Sequence, residues 1–133
     1  MNRILMLVVL MLSATSVYAE WTAVGENSDA GTTTYVDFAT LQRSGNLVKV
    51  WELVDYKTMQ KPGYGGYLSA KVQVQLDCQE GKTRILSSTW FSNNMGDGSV
   101  VRSSSNPGEE NPWEPMQPRS SGETLFKIAC DKK

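Results

Sequence analysis

Four carboxylates, Asp37, Glu52, Asp55 and Asp77, fall within β-rich stretches of a 133-residue chain that contains no histidine. A glycosidase needs two such acids, one on each side of a sugar subsite, so these are the candidates for that chemistry. The missing histidine removes Ser-His and Cys-His nucleophile pairs outright. A serine-lysine dyad, Ser69 or Ser87 with Lys71, is the remaining nucleophilic arrangement, and no motif around these residues supports it. Spacing along strands does not make any of these groups converge, so the acids read first as solvated strand faces and turn caps. The two cysteines, Cys78 and Cys130, lack both CxxC spacing and a histidine, which disfavours a redox or metal-binding thiol pair. The expectation is a non-enzymatic chain with no cofactor and no metal.

The elements that must position these residues are organised around positions 70–91. Val72, Val74, Leu76 and Cys78 alternate with Lys71, Gln73, Gln75 and Asp77, the period-2 pattern of a half-buried strand. Gln79, Glu80 and Gly81 turn the chain, and the run 82–91 returns as the second strand of an antiparallel hairpin. Residues 47–57 are apolar on both faces, with Val48, Val50, Val54 and Tyr56 on one and Leu47, Trp51 and Leu53 on the other. A strand covered on both sides belongs at the centre of a sheet.

Residues 1–19 have the three parts of a secretory signal: Arg3, an apolar run from Ile4 to Leu12, and a small-residue cleavage site at Val17-Tyr18-Ala19. Cleavage before Glu20 is expected. The apolar run is about half of the ~20 residues that cross a bilayer, so no membrane anchor is expected to remain. That leaves 114 residues, enough for one small domain at 20–133 with a modest core. A formal net charge of −1 and no basic cluster disfavour nucleic acid as a partner. In an oxidising compartment Cys78 and Cys130 most simply form one disulfide, tying the hairpin to the tail.

Elsewhere the chain predicts a short strand from Glu20 ending at a turn over 25–29, a strand over 32–36, and an Asp37-capped helical turn over 38–41. A glycine-rich hairpin loop is expected over 58–66. It lacks both the spacing of a phosphate cradle and the helix that should follow one. The oxygen-rich loop 92–98 has too few ligands for calcium and reads as ordinary turn chemistry. An edge strand is expected over 99–103. Four of the five prolines then fall between 104 and 119 around Trp113, an extended connector whose tryptophan reads as pinning it to the domain. Ser120 and Glu123 match a capping box, followed by the helix-spaced stripe Leu125, Phe126, Ile128 and Ala129.

The segments EWTAVGE, VWELVDYK, YLSAKVQVQLDC, ILSSTWFS and PWEPMQPRSSGETLFKIAC, in this order and with these two cysteine positions, resemble the surface-adhesin protein E-like family of proteobacterial envelope proteins. The resemblance covers nearly the whole mature chain. It implies an α+β domain: a small antiparallel sheet of about six strands with a C-terminal helix packed on one face and tethered by a disulfide. It further implies binding of host extracellular-matrix or serum proteins such as laminin and vitronectin, with a homodimer as a second expectation. The namesake is lipid-anchored, whereas no cysteine stands at this chain's cleavage site. Location is therefore expected to be the periplasm or the cell surface. The alternative reading is a periplasmic structural or envelope-stress protein, with a small-substrate hydrolase third. The candidate ligand-binding residues are Tyr64, Tyr67, Lys71, Arg84 and Trp113, with Tyr and Trp supplying adaptable contacts and the cations polar ones.

Overall fold

Alternating apolar residues joined by tight turns leave the chain one economical solution, a meander. The computed structural model describes residues 20–61, 65–105 and 111–131; the expected export signal over 1–19 and Tyr64 lie outside the described residues. Six antiparallel strands follow one another in chain order: β1 (Thr22–Asn27), β2 (Thr32–Ser44), β3 (Leu47–Gln60), β4 (Tyr67–Asp77), β5 (Lys82–Phe91) and β6 (Val100–Ser105). A two-residue strand, β7 (Glu114–Pro115), pairs with β5, and the one α-helix among the described residues is α1 (Ser121–Asp131). This is the expected α+β architecture. β3 and β4 are central, as the two-sided apolar pattern of β3 requires.

The β4–β5 turn shows the local logic. Asp77 Oδ1 accepts the Gln79 and Glu80 N–H groups at 3.1 and 3.0 Å, and Gly81 N–H donates to the Asp77 carbonyl at 2.9 Å. Gly81 has φ of 65°, a conformation glycine adopts without steric cost.

One expected turn is strand instead, and the turn expected over 25–29 begins at Ser28, after β1. The Asp37-capped helical turn is a β-bulge, with register breaking between Asp37 and Gln42 and pairing resuming against Lys49. Asp37 Oδ1 does accept the Ala39 N–H (3.1 Å), but the Thr40 hydroxyl donates to the Asp37 carbonyl (2.6 Å) and accepts the Trp51 N–H (3.1 Å). A side chain thus supplies a ladder acceptor, and the strand resumes beyond the bulge. Gly25 lies inside β1, not in a turn. A Cβ at Gly25 would stand 2.9 Å from Ser121 Cβ, so this glycine lets the start of α1 approach the sheet. Smaller differences follow the same rule that pairing overrides turn composition: β3 extends to Gln60, and the edge strand is Val100–Ser105 instead of 99–103.

One face of the sheet carries the core. Val24, Val36, Val48, Val50, Val74 and Leu76 pack with Leu125, Phe126 and Ala129 of α1. Ile128, at the margin of the predicted stripe, stays 37% exposed. Ser120 Oγ accepts the Glu123 N–H (3.3 Å), and Glu123 Oε2 accepts the Arg119 N–H (2.6 Å), one residue earlier than a standard capping box. The Cys78–Cys130 disulfide, with Cα atoms 5.7 Å apart, fastens the helix to the end of β4. Loop closure over 52 residues is worth roughly 4 kcal/mol in the chain-entropy picture of disulfide stabilisation.

Candidate functional site

An 11-residue helix is about 16 Å long and 10 Å wide, whereas six strands at about 4.8 Å spacing span about 24 Å. One helix cannot roof that face. α1 sits over β1 and β2, and the chain segment leading into it runs along β5. There Met116 N–H donates to the Gly81 carbonyl (3.0 Å), and the Asn111 amide donates to the Ile85 carbonyl. Between helix and connector an apolar trough of about 660 Å³ stays open above β3, β4 and β5. Its size is in the range of small-molecule sites.

The floor of the trough follows from register. Val50 faces Val74, Glu52 faces Val72, and Val54 faces Ala70. On the other flank Glu52 faces Val36. Glu52 is therefore ringed by Val36, Val50, Val54 and Val72, with Ser88 one strand further on. Among the described residues its carboxylate has no hydrogen bond and no ion pair. Burial among these valines raises its pKa from 4.5 to about 7, since desolvation penalises the charged form. At the far end Tyr56 and Trp90 line the trough. Tyr67 packs edge-on against both, with ring centroids at 5.5 and 6.3 Å, and Arg102 lies 4.3 Å from the Trp90 centroid.

The opposite face is closed by the loop after β5. Asp55 Oδ1 accepts the Asn94 amide (3.0 Å) and the Met95 N–H (2.9 Å). Ser69 Oγ donates to the Asn93 carbonyl (2.6 Å) and accepts the Gly96 N–H (2.8 Å). The loop 92–98 is thereby held down over Leu53, which is fully buried on the face away from the helix. Ser69, one of the two candidate nucleophiles, has its hydroxyl committed to this loop.

The acids do not converge. Glu52 faces the helix side, and Asp55 and Asp77 face away from it. Asp77 pairs with Leu47, eight residues along β3 from Asp55, which puts them about 25 Å apart at strand rise. Paired glycosidase acids sit about 5–9.5 Å apart. Among the described residues no cluster of acids and cysteines is arranged to hold a metal ion.

The candidate ligand residues divide into separate groups. Tyr64 lies outside the described residues, and Tyr67 belongs to the aromatic end of the trough. Lys71 lies on the far face, 5.3 Å from the Phe91 ring centroid and opposite Thr89. Arg84 is opposite Gln75, donates to its Oε1 (2.8 Å), and stacks 4.3 Å from the Trp113 centroid. Lys71 and Arg84 are thus four residues apart along β4, about 13 Å, and do not meet. Read from the sequence as a solvated strand face or as half of an acid pair, Glu52 is instead largely enclosed by its valine neighbours. Its signal was plain in the alternation, a carboxylate on the Val48, Val50, Val54 face. The Arg102–Trp90 pair had no such signal, because it needs the β5–β6 register.

The model of a protein family described as surface-adhesin protein E matches residues 21–131. No curated protein matches the chain. Among solved structures, crystal form II of Haemophilus influenzae protein E aligns with a TM-score of 0.62 at 12% identity, covering 87% of this chain and 91% of that one. A second structure of Haemophilus influenzae protein E gives 0.61 at 13% identity, covering 87% of each chain. The protein E structure from the non-typeable bacterium gives 0.58 at 12% identity, covering 87% of this chain and 78% of that one. At such identity the likeness speaks for the fold.

Proposed function

The chain belongs to the surface-adhesin protein E family, and from that premise we propose that it is an exported, non-enzymatic domain that binds a protein ligand along the margin of β5. Export rests on the signal pattern over 1–19, with Glu20 as the mature start. Among the described residues no helix is long and apolar enough to cross a membrane.

The observation that carries the reading is the composition of the β5 margin. Arg102 stacks on Trp90 on the trough face of β5 and Arg84 on Trp113 on the other face, so the margin carries a stacked cation on each side, with Ile85 and Val100 52% and 59% exposed. Tryptophan and arginine are what anchors protein interfaces, and stacked guanidinium groups are already ordered before binding. The ligand class is host extracellular-matrix or serum protein, in keeping with the family.

Two measurements test this. Protease shaving of intact cells should release peptides of a displayed protein. Immobilised laminin and vitronectin should capture the purified protein, and the double variant Arg84→Glu, Arg102→Glu should lose most of that capture while keeping its circular dichroism. Capture of neither protein, or full capture by the double variant, sinks the proposal. Release of no peptides from cells that contain the protein assigns it to the periplasm, where the structural or envelope-stress role takes over.

A further inference from the structure

We propose that the trough above β3–β5 is a binding site for a small organic cation with an apolar body, its positive head set against the Glu52 carboxylate. Three features on the helix side of the sheet point there. The cavity of about 660 Å³ has Val54, Val72, Val74, Leu125 and Phe126 among its lining residues, which suit a hydrocarbon or aromatic body. Its floor carries one acid, Glu52, ringed by four valines and without a hydrogen-bonding partner among the described residues, so an incoming ammonium group meets a carboxylate that none of them neutralises. The positive end of α1 does not serve as that counter-charge: Ser120 Oγ caps the Glu123 N–H and Glu123 pairs with Lys127 at 2.9 Å.

The groups facing Glu52 sharpen the argument. From β2 and β4 they are Val36 and Val72, and along its own strand Val50 and Val54. The titratable and charged groups further out along the trough are Tyr56 on β3, Arg84 on β5 and Glu114 on the connector, with Arg102 of β6 beyond Trp90. Arg84 is already engaged by Gln75 and the Trp113 ring, and Arg102 by the Trp90 ring. A cation bound at Glu52 gains a Coulombic contact beside apolar walls, where a charge pair is screened less than in bulk water. A neutral or anionic amphiphile of the same shape gains only the apolar burial or is repelled. Occupancy does not depend on any protein ligand at the β5 margin.

The test uses decyltrimethylammonium, whose charge does not titrate, and decanol, which has the same tail, both below their aggregation limits. Calorimetric titration is run on the disulfide-bonded protein at pH 8.5 and 5.5. With Glu52 titrating at about 7, its ionised fraction falls from nearly complete to about one in thirty. Affinity for the cation should fall by about that factor. Decanol should bind at least about tenfold more weakly than the cation at pH 8.5. Glu52→Gln, close in shape, should lose at least about thirtyfold in cation affinity at pH 8.5 and all of the steep pH dependence. Equal binding of decanol, an unchanged Glu52→Gln variant, a pH dependence that survives in that variant, or no cation binding at millimolar concentration each overturns the proposal.

Discussion

Glu52→Gln should make the protein more stable at pH 8 and leave it unchanged near pH 4. The folded-state pKa of Glu52 stands at about 7 against an ordinary 4.5, because folding surrounds the carboxyl with valines. A raised acid takes up a proton on folding anywhere between those two values. The wild type is therefore most stable below about 4.5, loses stability as pH rises through the interval, and carries the full cost above 7. The displacement corresponds to about 3 kcal/mol. Glu52 keeps partial contact with solvent at the trough, so the expected cost is about 2 kcal/mol. Glutamine has the shape of the neutral acid and never ionises. The variant should thus match the wild type at low pH and exceed it by that amount at pH 8, or by roughly 8 °C in Tm for a domain of this size.

The assay is urea unfolding of both proteins with the disulfide intact, at half-unit steps from pH 4 to 8.5. Every other titrating group is common to the pair, so the difference between the two curves isolates Glu52. It should be near zero at the acid end and grow through pH 5–7. Parallel curves would refute the placement of Glu52 on an apolar floor. A variant less stable than the wild type at pH 8 would show that the ionised carboxylate has a partner in the fold.

Three further outcomes follow from local geometry. Gly25→Ala places a Cβ 2.9 Å from Ser121 Cβ and should cost about 1–3 kcal/mol in urea unfolding by pushing the start of α1 off β1. Cys78→Ser with Cys130→Ser should cost roughly 4 kcal/mol, and hydrogen exchange in α1 should speed up more than in β3 and β4. Asp55→Ala removes the acceptor of the Asn94 amide and the Met95 N–H; it should cost about 1–2 kcal/mol and raise exchange at Met95 while sparing the β4–β5 turn.

What was legible in the sequence is what depends on neighbours two to four residues apart. The alternation from Val72 to Cys78 placed β4, the two-sided run from Leu47 placed β3 at the centre, and the Ser120/Glu123 spacing placed the start of α1. The disulfide followed from compartment and count. What escaped was set by contacts distant in sequence. Asp37 has the composition of a helix cap, yet Thr40 meets the Trp51 N–H across the β2–β3 pair and makes a bulge. Gly25 has the composition of a turn, yet the partner that demands it, Ser121, lies 96 positions away.

The trough belongs to a third kind of information, the mismatch between the width of a sheet and what is available to cover it. One short helix roofs β1 and β2, and a proline-rich connector follows β5, because prolines cannot continue either a helix or a central strand. The gap between them falls over the row of β3 where a carboxylate interrupts an apolar face. An ordinary core would place a valine or leucine at position 52 and collapse the connector onto it. An ionisable group there weakens the fold above neutral pH, a cost for which the proposed cation site supplies a reason.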